Sequence, residues 1–222
     1  MPNWVLVVLV IVAVLGAGLL RERWRLRGMA AWCATRGLTL VTPFVPGDRP
    51  PVASIVKRFD IRGGRIWGAG IVGIVDGVEV TIAEHETSPP GRKTGVWQAV
   101  VVWPIRNPGG PVVLWPGGGP GGVLSAVLGG SYAALADRLG VPDAEPSGLR
   151  ASTERGLLVE GTAVAREAWL TESRCRALEA WTGGGSFAVD GEYAAWRTQG
   201  LLSAARVQEL VDQLPAVRRL LE

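Results

Sequence analysis

Histidine and cysteine are nearly missing from this sequence of 222 residues: His85 stands alone, and the only thiols are Cys33 and Cys175. A structural zinc site takes about four Cys or His ligands at short spacings. None can be assembled here, and neither a metal nor another cofactor is expected. A hydrolytic triad would have to use His85, and no Gly-x-Ser-x-Gly turn exists to expose a serine beside it. The glycine run from Gly117 to Gly122 is broken by Pro120, and no Gly-Lys-Ser/Thr follows, so it does not make a phosphate loop. Lys93-Thr94 lies close to Gly91, but Arg92 spoils the spacing.

Charge is missing from one stretch altogether. Trp4 to Leu20 is an unbroken run of apolar residues and glycine without a charged or amide side chain. A helix rises about 1.5 Å per residue, so the steps from Trp4 to Trp24 cover about 30 Å, the thickness of a bilayer's hydrocarbon core. The two indoles then lie at opposite interfaces, a level that suits an apolar ring carrying one N–H. A cleaved signal peptide fits less well. Only Met1, Pro2 and Asn3 precede the run, without a basic n-region, and Gly16-Ala17-Gly18 leads straight into Leu19-Leu20 and arginines.

Net charge is +3, and residues 21–27, with four arginines against one glutamate, supply all of it. The remaining body is neutral and offers no field for DNA or RNA. The flank Arg21, Arg23, Trp24, Arg25 and Arg27 is expected to stay cytoplasmic by the positive-inside rule. That places the N-terminus outside and the rest of the chain inside a plasma (inner) membrane, with both cysteines reduced. The expected partners are the bilayer itself, anionic lipid headgroups touching the arginines, and a protein of unknown identity.

Apolar content of 48% and ten tryptophans predict a packed body. Met29, Trp32 and Cys33 are spaced for one helical face ending at Gly37, and Leu38 to Val41 reads as a strand. The prolines from Pro43 to Pro51 predict an irregular connection. Asp76-Gly77 between alternating apolar residues is a two-residue hairpin signal. In that register Ile71, Val75, Val80 and Ile82 share the core face, and Glu79, Thr81 and His85 take the other. Val96 to Trp103 reads as a central strand and Pro111 to Trp115 as a short one. Further on, Ser131 to Leu139 reads as a helix, Leu157 to Glu160 and Ala163 to Ala165 as strands, and Thr171 as the cap of a helix reaching Trp181. A second hairpin is expected around Asp190-Gly191, and Ser203 opens a last helix with Val207, Leu210, Val211 and Leu214 inward. The expected class is α+β: a transmembrane helix, then antiparallel sheet with packed helices, as one domain or as two lobes sharing a core. The divisions are an anchor with its flank at 1–27, a first lobe at 28–116, a Gly/Pro-rich linker at 117–130 and a second lobe at 131–222.

This order resembles a family of single-pass, membrane-anchored actinobacterial proteins of unknown function. The residues that carry the resemblance are the N-terminal span with its arginine flank, the helix ending in Arg36-Gly37, the hairpin ending in Thr81-Ile82-Ala83-Glu84, the strand Val100 to Trp103, and Asp190-Gly191-Glu192-Tyr193 before the Ser203 to Glu222 helix. The resemblance implies the architecture and transfers no functional residue.

Among side chains that could do chemistry, Glu84-His85-Glu86 is the first to weigh. Strand alternation puts His85 on one side and both glutamates on the other, and reads the trio as a solvated strand end. Glu79 shares a face with His85 and is the other catalytic candidate. Lys57, Arg58, Arg62 and Arg65 form a second basic stretch that could join the flank in binding anionic lipid. The function that follows is a non-enzymatic binding or adaptor domain at the membrane. The alternatives are a tethered enzyme using His85 with nearby carboxylates, and a sensor of lipid or envelope state.

Overall fold

The computed structural model describes residues 3–59, 65–87, 96–106, 109–116, 149–152 and 157–221. One helix, α1 (Asn3–Ala34), carries the chain from the apolar run into the domain without a break at Gly28. Its first part is exposed along its length and is long and apolar enough to cross a membrane. Its last turns are one-sided, with Met29 and Cys33 buried and Trp32 half-buried. The helix stops where the sequence says it should. Gly37 takes a left-handed φ of 67°, and the Leu38 N–H reaches back to the Cys33 carbonyl at 3.0 Å, the six-to-one bond of a Schellman cap.

Nine antiparallel strands then form one sheet among the described residues: β1 (Thr39–Val41), β2 (Arg65–Val75), β3 (Val78–Thr87), β4 (Val96–Pro104), β5 (Val112–Pro116), β6 (Leu149–Ser152), β7 (Leu157–Gly161), β8 (Ser186–Asp190) and β9 (Tyr193–Gln199). Their spatial order is β1-β2-β3-β4-β9-β8-β5-β7-β6. The β2–β3 hairpin closes on Asp76-Gly77, both with positive φ, as a two-residue turn matched to strand twist requires. The β8–β9 hairpin pairs Asp190 with Tyr193. The linker expected at 117–130 and the helix expected at 131–139 lie outside the described residues. The sheet runs continuously through what comes before and after them, because β9 pairs with β4 on one side and β8 on the other.

The first face of the sheet carries the larger core. Ile71, Val80, Ile82, Val101, Trp103, Phe187 and Trp196 pack there against α1, α3 (Ala163–Trp169), α4 (Glu172–Glu179) and α5 (Ala204–Leu221). The expected caps are present: Thr171 accepts from the Arg174 N–H at 3.4 Å and Ser203 from the Arg206 N–H at 3.2 Å. Along α5, Val207, Leu210, Leu214, Val217 and Leu221 are buried, and the helix continues through Pro215.

Three expectations are corrected. Pro43 to Pro51 is not wholly irregular: a 3-10 turn at Pro46–Asp48 leads into α2 (Pro50–Phe59). Proline does no harm there because first-turn N–H groups have no helical partner to lose. Ala163 to Ala165 is the first turn of α3, capped by Thr162, whose hydroxyl accepts from the Ala165 N–H at 3.2 Å. Finally, the second face is core as well. Val52, Ile55, Val56 and Phe59 of α2 cover Ala83, Val100, Val102, Val113, Ala188 and Ala195, and Thr81 and His85 are buried on that side.

Candidate functional site

Where α1 meets the sheet, strand β2 carries an irregularity: Trp67 pairs with His85 and Gly70 with Ala83, so one extra residue sits opposite Glu84. A β-bulge of this kind redirects local backbone. Here it aims the Ala69 N–H at Glu84 Oε1, 2.9 Å away. Gly68 leaves room for the carboxylate, since a Cβ there would lie 2.8 Å from Glu84 Cγ. Gly70, beyond the bulge, leaves room on the other face for Phe44, whose ring Cγ would be 2.7 Å from an added Cβ.

The Glu84 side chain is completely buried, and that of Arg25 is 15% exposed. They meet in a bidentate pair: Arg25 Nη1 donates to Oε2 and Nη2 to Oε1, each at 2.7 Å. The Leu202 N–H donates to Oε2 at 2.9 Å. Each Glu84 oxygen thus accepts from one guanidinium nitrogen and one backbone N–H. A buried carboxylate needs such partners, because an ion without them carries a penalty of several kcal/mol. The same guanidinium donates to the Leu202 carbonyl and, through Nε and Nη2, to Glu22. Burial works against the charge on Arg25, but the hydrogen bonds and charges of Glu22 and Glu84 outweigh it and raise its pKa above the ordinary arginine value. The hydrogen bond from Arg25 lowers the Glu22 carboxyl below its ordinary value. This cluster lies beyond the apolar run, which ends at Leu20.

A cavity of about 280 Å³ opens beside the pair, with Glu22, Arg25, Leu26, Glu84, Trp97 and Leu201 among its walls. Its charged groups are engaged with one another. The arrangement is suited to holding three distant parts of the chain together: the part of α1 beyond its apolar run, the β2–β3 pair and the segment before α5. A second clasp joins α1 to α5, where Gln208 Oε1 accepts from Trp32 Nε1 at 3.1 Å and from Arg36.

The residues singled out in the sequence fall apart spatially. Glu84 and His85 are not a solvated strand end; both are buried, on opposite faces of the sheet. His85 packs its ring against Trp67, with centroids 5.2 Å apart. Glu79, the other candidate, is 70% exposed and stands 3.4 Å from Arg49. Six residues of strand, about 20 Å, separate it from His85, and the structure does not bring them together. In the arginine flank after the apolar run, Arg21, Arg23, Trp24 and Arg27 are exposed, whereas Arg25 turns inward to Glu84, a correction to its reading as a lipid-facing cation. In the second basic stretch, Arg58 pairs with Asp190 at 2.9 Å on the face opposite α1, and Arg62 lies outside the described residues. The role of Glu84 went unread from sequence. The available signal was glycine at 68, 70 and 73 within one strand, since strand glycines mark bulges and close approaches.

No protein-family model matches the chain, and no curated protein matches it in sequence. A solved structure does match. The fold resembles that of the mycobacterial trehalose monomycolate transport factor A, TtfA. The match covers 88% of this chain and 93% of TtfA with a TM-score of 0.51 and 12% sequence identity, a likeness of fold alone.

Proposed function

We propose that this chain is a membrane-anchored, non-enzymatic adaptor whose α1 crosses the plasma membrane with the N-terminus outside and the sheet domain in the cytoplasm. The observation that carries the reading is the Arg25–Glu84 junction. A domain fixed to its own membrane helix by a buried, fully hydrogen-bonded ion pair offers its surface to a neighbour at constant height and orientation, which suits assembly with another membrane protein. The likeness to a protein named a transport factor supports the same class of role. Arg21, Arg23 and Arg27 strengthen the hold on anionic lipid headgroups, each by about 1 kcal/mol.

The test is crosslinking and co-purification of the full chain, tagged at its C-terminus, from its native membrane. One protein recovered in near-stoichiometric amount is the expected result, and Glu84→Gln, which loosens the junction, should reduce its recovery. Folded, abundant protein that brings nothing with it would overturn the adaptor reading. A reporter active only outside the cytoplasm, fused after Glu222, should be silent, and a signal from it would reverse the orientation.

A further inference from the structure

We infer that one end of the sheet, with Leu201 at its tip, is immersed in the headgroup layer of the membrane that α1 spans. The inference rests on reading α1 as a span. Arg25 follows the last apolar residue, Leu20, by five helical steps, about 7.5 Å. A leaflet's headgroup layer is about 5–8 Å deep, half the difference between the whole bilayer and its hydrocarbon core. Arg25 therefore sits within that layer, whether the core is taken to end at Leu20 or at Trp24. No linker separates it from the domain, because it is bonded to Glu84 and to the Leu202 carbonyl.

The strand directions show which end of the sheet is at this height. Going along α1 from Arg25 to Gly37, the adjoining positions on β2 run from Ala69, beside Glu84, to Gly73, where an added Cβ would meet Leu38 and the Gly37 carbonyl. Helix and strand thus leave the membrane together. The near end comprises the start of β2, the end of β3, the start of β4 and the end of β9, tied by the pairs Ile66–Glu86, Glu86–Trp97 and Gln98–Gln199. The far end carries the turns at Asp76-Gly77 and Asp190-Gly191, with Asp76 and Glu192 exposed.

Leu201 is held at the near end from both sides. The Gly200 N–H donates to the Trp97 carbonyl at 2.9 Å, and Leu202 is buried with its N–H on Glu84. Between these fixed points Leu201 stays 44% exposed and cannot turn inward. An apolar side chain fixed outward beside Trp97 is costly in water and favourable among headgroups and upper acyl chains. The acidic turns lie at the opposite end, away from anionic lipid.

The test places a thiol-reactive, environment-sensitive fluorophore on the full chain in vesicles of phosphatidylcholine and phosphatidylglycerol, in a Cys33→Ala, Cys175→Ala background. Single labels go at Leu201→Cys, at Gln199→Cys as a second reporter of the near end, at Ile74→Cys on the far end and at Val12→Cys within the span. The label at 201 should lose most of its emission to a nitroxide on the lipid headgroup and resist aqueous iodide, with 199 following it. The label at 74 should respond to iodide alone, and that at 12 to a nitroxide deep in the acyl chain. If 12 behaves so while 199 and 201 respond to iodide as strongly as 74, the domain stands off the membrane and the inference falls by itself. A label at 12 blind to the acyl nitroxide would remove the span, and the inference with it.

Discussion

Helices α1 and α2 lie on opposite faces of the same sheet, and each is tied to it by an arginine–carboxylate pair, but the two ties differ in burial. Arg25 meets a Glu84 with no exposed surface, whereas Arg58, its side chain 45% exposed, meets an Asp190 that is 18% exposed. Attraction between charges strengthens as water is excluded, and so does the penalty for a charge left without its partner. A solvated pair can lose either member at little cost. The lesson is that α1 is held by an interaction that cannot be partly undone, while α2 is held mainly by its apolar face, Val52, Ile55, Val56 and Phe59.

The sharpest way to break this contrast is Glu84→Ala. It takes from Arg25 its buried partner, leaving the guanidinium only Glu22 and the Leu202 carbonyl, strands the N–H groups of Ala69 and Leu202, and should cost about 3–5 kcal/mol in urea unfolding of the full chain in micelles. A loss no greater than that of an exposed pair would show that the junction does not hold the helix. Gly68→Ala attacks the same carboxylate through space, pushing Cβ toward Glu84 Cγ, with an expected loss of about 1–3 kcal/mol. Gln208→Ala removes one acceptor shared by Trp32 and Arg36, and about 1 kcal/mol should go with it. Arg58→Ala should cost about 0–1 kcal/mol. Raising the salt should shrink that last difference and leave the Glu84→Ala difference nearly unchanged, because buried pairs are poorly screened. Equal salt sensitivity in the two would erase the distinction.

Features set by near neighbours were legible in the sequence. The apolar run, the Gly37 stop, the Asp76-Gly77 turn and the caps at Thr171 and Ser203 each depend on residues within a few positions. The α2 helix was obscured because its two leading prolines read as breakers, although they occupy positions where helices tolerate them. The strand face with Thr81 and His85 read as polar because alternation distinguishes the two faces of a strand, not which faces are covered. Only a helix from elsewhere in the chain decides that, and α2 supplies it.

By itself, then, the sequence determined a helix able to span a membrane, its arginine flank, the two hairpins and an α+β body, since each follows from the period of apolar residues or from the backbone freedom of one or two positions. Tertiary structure alone decided the order of the nine strands, the burial of both faces and the partnership of Arg25 with Glu84 across 59 positions. The physical reason is that a charge's meaning depends on the dielectric around it and on the donors that converge on it. For Glu84 those donors come from α1, a strand bulge and the segment before α5, which meet only when the chain has folded.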